Sequence, residues 1–225
     1  MYTEKFPGRK SKMKELNPHE QAASVIISQI VDLIKAKKEK RYTITLSGES
    51  GCGKTETGKA LVNELGRSGV TSLVLGQDNY FFLAPVANDT MRKKDPEWLG
   101  PHKEVNLKLL DETLVRAMNG ADIIDVPHID YNTNVEIIEK VSIEGFKVII
   151  VEGTYTSLLK HVDTKIFIDA DYKDTLKFRK LRNRGNEVND PFVENILETE
   201  HKIIAGHKFL ADFVITKDCD VISVK

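Results

Sequence analysis

The sequence predicts an α/β fold, a mainly parallel sheet between layers of helix, and three observations carry that prediction. Segments patterned as strands alternate with segments patterned as helices along the chain. Two apolar stretches, 146–151 and 165–168, run almost without a polar break, as strands buried on both faces do. Between the first strand-like run and a following helical pattern lies Gly48-Glu49-Ser50-Gly51-Cys52-Gly53-Lys54-Thr55, which fits G-x-x-x-x-G-K-[ST] without a mismatch.

A chain of 225 residues with 40% apolar composition can bury one substantial core, so we expect a flexible basic tail over 1–16 and a single domain over 17–225. The tail carries Lys5, Arg9, Lys10, Lys12 and Lys14 without periodicity. Asn17 reads as an N-cap, with Pro18 at the first helical position and Glu20 three residues on. That helix runs to about 38, with Ile26, Ile30, Leu33 and Ile34 on its apolar face. Residues 43–46 form the first strand, and the helix after the glycine-rich loop runs to Leu65 and stops at Gly66. A second strand, 71–75, brings 77–81 to the C-terminal edge of the sheet, where ligands bind in such folds. The stretch 84–101, with Pro85, Pro96 and Pro101, reads as an irregular substrate-side loop. Asn106 caps a helix bearing Leu109, Leu110, Leu114 and Ala117 that ends at Gly120. Further strands are expected at 123–127, 135–141, 146–151, 165–168 and 211–216, with a polar loop at 130–134. An Arg- and Lys-rich helix runs from Asp174 to Gly185, a further helix covers 192–206, and 220–224 forms an edge strand or extension.

Composition excludes several function classes. The formal net charge is -1, so no overall basic field predicts a nucleic-acid or membrane partner. No apolar run approaches the roughly 18 residues of a membrane span, and the N-terminus has no hydrophobic signal core. Cys52, inside the loop, and Cys219 are the only cysteines. A disulfide would lock the loop, so both read as free thiols of a reducing, cytoplasmic compartment. His102, His128, His201 and His207 have no metal-ligand spacing, and no zinc site is expected. Thr216-Lys217-Asp218 lacks the Asn and the spaced Asp of the guanine-reading Asn-Lys-x-Asp, which argues against a GTPase switch.

The loop glycines let the backbone point its N–H groups inward, making a nest for phosphate at the head of a helix. Gly48, Glu49, Ser50, Gly51, Cys52, Gly53, Lys54 and Thr55, with Thr57 on the next turn, are the candidate nucleotide-binding residues. Lys54 would reach the β and γ phosphates, and Thr55 would hold Mg²⁺. Phosphoryl transfer also needs a proton acceptor, a metal-side acid and cations over the migrating group. Asp78, just past the second strand, suits the first role, and on position alone it suits a turn aspartate equally. Glu152 ends the most hydrophobic strand and is a candidate for Mg²⁺ or its water shell. Arg179 and Arg182 share a helix face and Arg184 follows closely, a set that could fold over phosphates as a lid.

In this order the pieces resemble the uridine kinase and phosphoribulokinase group of P-loop kinases, over about 42–216. They are GESGCGKT at 48–55, QDNYF at 77–81, the helix ending in Gly120, VPHIDY at 126–131, VEG at 151–153, RKLRNRG at 179–185 and ADFVI at 211–215. The resemblance implies a P-loop NTPase-type three-layer sandwich with a mainly parallel sheet and a short helical lid. It implies a kinase that uses ATP and Mg²⁺ and phosphorylates a small-molecule alcohol. By it the general base falls on Asp78, the metal-side acid on Glu152, and the lid arginines on Arg179 and Arg184, with Arg182 beside them on the nucleotide. Where uridine kinases read their nucleoside, this chain has Gly100-Pro101-His102-Lys103, Ile129 and Asn132-Thr133-Asn134-Val135. The catalytic frame is kept while the nucleoside reader is not. Candidate acceptor contacts are Asp78, Tyr80, Lys103, His128, Asp130 and Tyr131, for uridine, cytidine or another sugar- or glycerate-like alcohol. A homo-oligomer is compatible with the group's habits. The alternative is a nucleotide-binding regulatory or interaction module with weak or no kinase activity, which would not require Asp78 paired with a lid of arginines.

Overall fold

The computed structural model describes residues 16–38, 40–130, 135–182 and 190–224. Helix α1 (Pro18–Ala36) opens on the expected capping box: Asn17 Oδ1 accepts from the Glu20 N–H and Glu20 Oε2 from the Asn17 N–H. Its buried stripe is Ala22, Ala23, Ile26, Ile27, Ile30 and Ile34. Leu33 was expected on that stripe but is exposed, because the stripe advances in steps of four and position 33 falls off its edge. The expected tail over 1–16 lies outside the described residues, apart from Leu16.

Strand β1 (Tyr42–Gly48) is buried along its whole length. The other strands of its sheet are β2 (Ser72–Gly76), β5 (Val148–Gly153), β6 (Thr164–Asp169), β7 (Phe213–Thr216) and β8 (Val221–Ser223). Their order is β2-β5-β1-β6-β7-β8, parallel throughout except for β8, which runs antiparallel to β7. Alternation along β5 serves both faces. Val148 and Ile150 pack with α1 and with α2 (Lys54–Arg67), while Ile149 and Val151 pack with Tyr80, with α4 (Leu107–Met118) and with Ile204 of α6 (Pro191–Ile204). Each such aliphatic side chain contributes about 1.5–3 kcal/mol by leaving water. The result is the expected three-layer α/β sandwich. Among the described residues no helix is long and apolar enough to cross a membrane.

Two local expectations are corrected. Helix α2 passes through Gly66 to Arg67, and the left-handed turn is made by Gly69 at φ 74°. The stretch 84–101 is ordered: Pro85 takes the first position of α3 (Pro85–Lys94), and Pro96 opens a 3₁₀ turn over Pro96–Trp98, since a fixed φ suits a helical first turn. Strands β3 (Ile123–Asp130) and β4 (Val135–Ser142) leave the main sheet and form an antiparallel ribbon. The short helix α5 (Leu176–Arg182) carries the arginine-rich segment as far as it is described; 183–189 and 131–134 lie outside the described residues.

Strand register places the site. Glu152 is level with Leu46 of β1 on one side and with Gly76 of β2 on the other. The loop after β1 and the 3₁₀ turn Gln77–Tyr80 after β2 therefore leave the same edge. Gln77 is buried across the end of β5, and its Oε1 accepts from the Tyr155 N–H at 2.8 Å. A Cβ on Gly153 would stand 2.3 Å from the Gln77 Cβ, so only glycine permits this crossing. Gly153→Ala is expected to push Gln77, and Asp78 with it, away from the edge. The expected cost is about 1–3 kcal/mol, which lowers the melting temperature of a domain this size by about 2–4 °C per kcal/mol in a calorimetric scan.

Candidate active site

The loop 48–55 joins β1 to α2, and Gly53 takes the N-cap of α2 at φ 94°. A left-handed N-cap turns the chain so that the unpaired N–H groups of the helix's first turn head an anion site. Lys54 Nζ donates to the carbonyls of Gly48 and Glu49, both at 2.9 Å, so the ammonium is held over the loop. Cys52 is buried within it, and burial pushes its thiol up. The loop borders a cleft of about 1040 Å³ that also touches Asp78, Thr154, Phe178, Lys217 and Cys219.

At the sheet edge, Glu152 Oε1 accepts from the Thr55 hydroxyl at 3.4 Å, while its Oε2 is buried without a hydrogen-bond partner among the described residues. Burial raises the Glu152 pKa, opposed by Lys54 and by the Thr55 hydroxyl, and the nearby Asp78 charge raises it further. An orphan carboxylate oxygen beside a hydroxyl fits a hydrated Mg²⁺, which uses few protein ligands when phosphates supply the rest. Asp78 is exposed in the cleft, across from the loop.

Helix α6 grips the loop through two consecutive residues. Glu200 Oε1 accepts from the Ser50 N–H at 2.9 Å, and His201 Nδ1 meets Glu49 Oε1 at 2.5 Å. Glu49 Oε2 also accepts from the Tyr172 N–H, so the Glu49 side chain faces helix and turn rather than the cleft. Burial raises the pKa of both Glu49 and Glu200. Glu200 was not singled out from sequence, although it sits in the apolar stripe of α6 between Leu197 and Ile204, a position where a carboxylate is out of pattern. Arg179 is 1% exposed, donates to Glu194 Oε1 and to the Tyr172 carbonyl, and packs its stem beside Gly51. It is not among the described residues that line the cleft. Arg182 ends α5, and Arg184 lies outside the described residues. Thr57 is buried on α2 and hydrogen-bonds His19.

A second cleft of about 210 Å³ shares Asp78 with the first and is walled by Phe81, Leu83, Pro85, Asn88, Asp89 and Arg92. The buried Glu104 carboxylate holds this wall. It accepts from Arg92 Nε at 2.9 Å, from Asn88 Nδ2 at 3.3 Å, from the Gly100 N–H at 3.2 Å and from the Tyr155 hydroxyl at 3.2 Å. Asn88, Arg92 and Glu104 carried no sequence signal, since their bonds cross an irregular stretch rather than a helical or strand repeat. Among the expected acceptor contacts, Tyr80 is buried in the core with Leu110 and Leu114. Lys103 pairs with Glu97 at 3.3 Å and touches neither cleft, and His128 is half-buried on β3. Asp130 ends β3, and Tyr131 lies outside the described residues.

The bifunctional alpha-galactosidase/sucrose kinase of Mediterraneibacter gnavus is 27% identical over 194 residues, 81% of this chain and 21% of that protein, so the chain spans about a fifth of its length. A uridine kinase of Ureaplasma parvum is 28% identical over 155 residues, 66% of this chain and 72% of the relative. The structure of D-glycerate 3-kinase from Cryptococcus neoformans superposes with a TM-score of 0.59 at 13% identity, covering 93% of this chain and 100% of that one, a likeness of fold. The model of the phosphoribulokinase/uridine kinase family matches residues 43–199, from the first strand through the loop and both carboxylates into α6, and the chain belongs to that family of kinases.

Proposed function

We propose that this kinase transfers the γ-phosphoryl group of ATP, with Mg²⁺, to a hydroxyl of a compact polyhydroxy acceptor of the sugar or glycerate kind. The observation that carries the reading is that Asp78 belongs to both clefts, the one at the phosphate loop and the smaller one beside it. A carboxylate at that junction takes the proton from an acceptor hydroxyl as the oxygen attacks the γ-phosphorus. Lys54 leaves the loop carbonyls for the β and γ oxygens, and the loop amides hold the departing diphosphate. Thr55 and Glu152 would hold Mg²⁺, whose charge would offset that of the phosphates.

The acceptor class rests on the wall of the smaller cleft. Its volume of about 210 Å³ falls below the roughly 300–1,000 Å³ of pockets for drug-sized ligands, which suits a small acceptor. Asp89 and Arg92, an ion pair at the edge of the Glu104 network, line the cleft beside Phe81, a composition that suits vicinal hydroxyls. A sucrose kinase stands among the relatives, which supports the same reading, beside uridine kinases, which act on a nucleoside.

The test is ADP release with D-glycerate, fructose, sucrose, uridine and cytidine as acceptors. A sugar or glycerate is expected to give the highest kcat/KM, and Asp78→Asn to lower kcat by about 10²–10⁴-fold with little change in KM for ATP. Preference for uridine would overturn the acceptor assignment, and an undiminished Asp78→Asn would remove Asp78 as the base. The electrostatics of the loop give a second expectation. Burial raises the Glu200 pKa above its unfolded value, so the folded state holds that proton more tightly. The carboxylate thus costs least below the ordinary glutamate range, and stability falls as pH rises through the raised pKa. Glu200→Gln keeps an acceptor for the Ser50 N–H and removes the charge. It is expected to melt higher than wild type near pH 8, by about 2–4 °C for each kcal/mol of desolvation removed, with the gap closing toward pH 4.

A further inference from the structure

Helix α1 precedes residue 43, where the family match starts, yet its first turn reaches the larger cleft. His19 Nδ1 shares a 3.0 Å hydrogen bond with the hydroxyl of Thr57, which is fully buried in α2. A Cβ on Gly53 would stand 2.9 Å from His19 Cε1, so the imidazole lies against the bare Cα at the head of α2. The ring therefore covers the first turn of that helix, where the field of the peptide dipoles is strongest. Its Nε2 makes no hydrogen bond among the described residues, and the side chain lines the cleft.

Strand order says which part of a nucleotide would lie there. Asp78 follows β2, on one side of β1, and the turn at Thr216–Cys219 follows β7, on the other. With the transferred phosphoryl group beside Asp78, the nucleoside extends toward Thr216–Cys219. Helix α1, packed on α2 and β8, stands on that side.

We propose that His19 binds the nucleotide, donating a hydrogen bond from Nε2 to the α-phosphate. In this assignment the Thr57 hydroxyl donates to Nδ1 and leaves the proton on Nε2, the tautomer that an anionic oxygen requires. This assignment rests on the reading of the cleft as an ATP site, and it adds a contact from outside the matched region.

Calorimetric titration of the full chain with Mg·ADP and, separately, with magnesium pyrophosphate tests it. Pyrophosphate supplies the phosphate-loop contacts without the nucleoside end. His19→Ala is expected to weaken Mg·ADP about tenfold, the size of a lost hydrogen bond to a charged group, and to leave pyrophosphate within about twofold. His19→Gln, whose amide nitrogen overlays Nε2, is expected to recover most of the loss, while His19→Asn, which overlays Nδ1, is not. Unchanged Mg·ADP affinity in His19→Ala overturns the proposal and leaves the kinase reading intact. Equal losses for both ligands in every variant, with a lower melting temperature, also overturn it, since His19 would then only prop the loop. Failure of the wild type to bind Mg·ADP would overturn the ATP reading together with this one.

Discussion

The register of β2, β5 and β1 is the constraint on which the site depends. Gly76, Glu152 and Leu46 lie abreast, so three successive departures from the sheet deliver Asp78, Glu152 and the glycine loop to one edge. β1 and β5 are almost wholly buried, and in a parallel sheet covered on both faces a slip of one residue would invert every inward side chain. The core thereby fixes the relative depth of groups that make no direct bond with one another. Gly153 completes the arrangement by letting Gln77 lie across the strand end.

Around the loop the protein concentrates negative charge. Glu49, Glu152 and Glu200 are each partly or fully withdrawn from water, and burial raises all three. Lys54 offsets two of them electrostatically, Glu152 and Glu200, while bonded to the loop's own carbonyls. Buried charges of this kind weaken the unliganded fold, which is the usual condition of a site built for another ion. Helix α6 supplies the mechanical counterpart, since Glu200 and His201 fasten the loop at adjacent residues.

Much of this was legible in the sequence because it follows from local pattern. The capping box at Asn17, the apolar runs of β1 and β5, and the glycine signature each depend on neighbours within a few residues. The prolines of 84–101 misled because the same fixed φ that breaks a helix interior also starts one, and Pro85 and Pro96 both start turns. Leu33 misled because several stripes can be drawn through one helix until its neighbours choose. Glu104, Arg92 and His19 were invisible for a different reason. Arg92 meets Glu104 twelve residues on across an irregular turn, and His19 meets Thr57 across two packed helices, so no periodic spacing announces them.

The division of labour between the two clefts bears on how such a kinase diversifies. Among the described residues Asp78 alone is common to both; the remaining described wall of the smaller cleft lies within a short stretch, Phe81 to Arg92, pinned by Glu104. With the smaller cleft as the proposed acceptor site, selection could rewrite what is phosphorylated by replacing a dozen neighbouring positions, without disturbing the machinery that handles the donor. On that proposal, inheritance of the reaction and drift of its target would be structurally uncoupled.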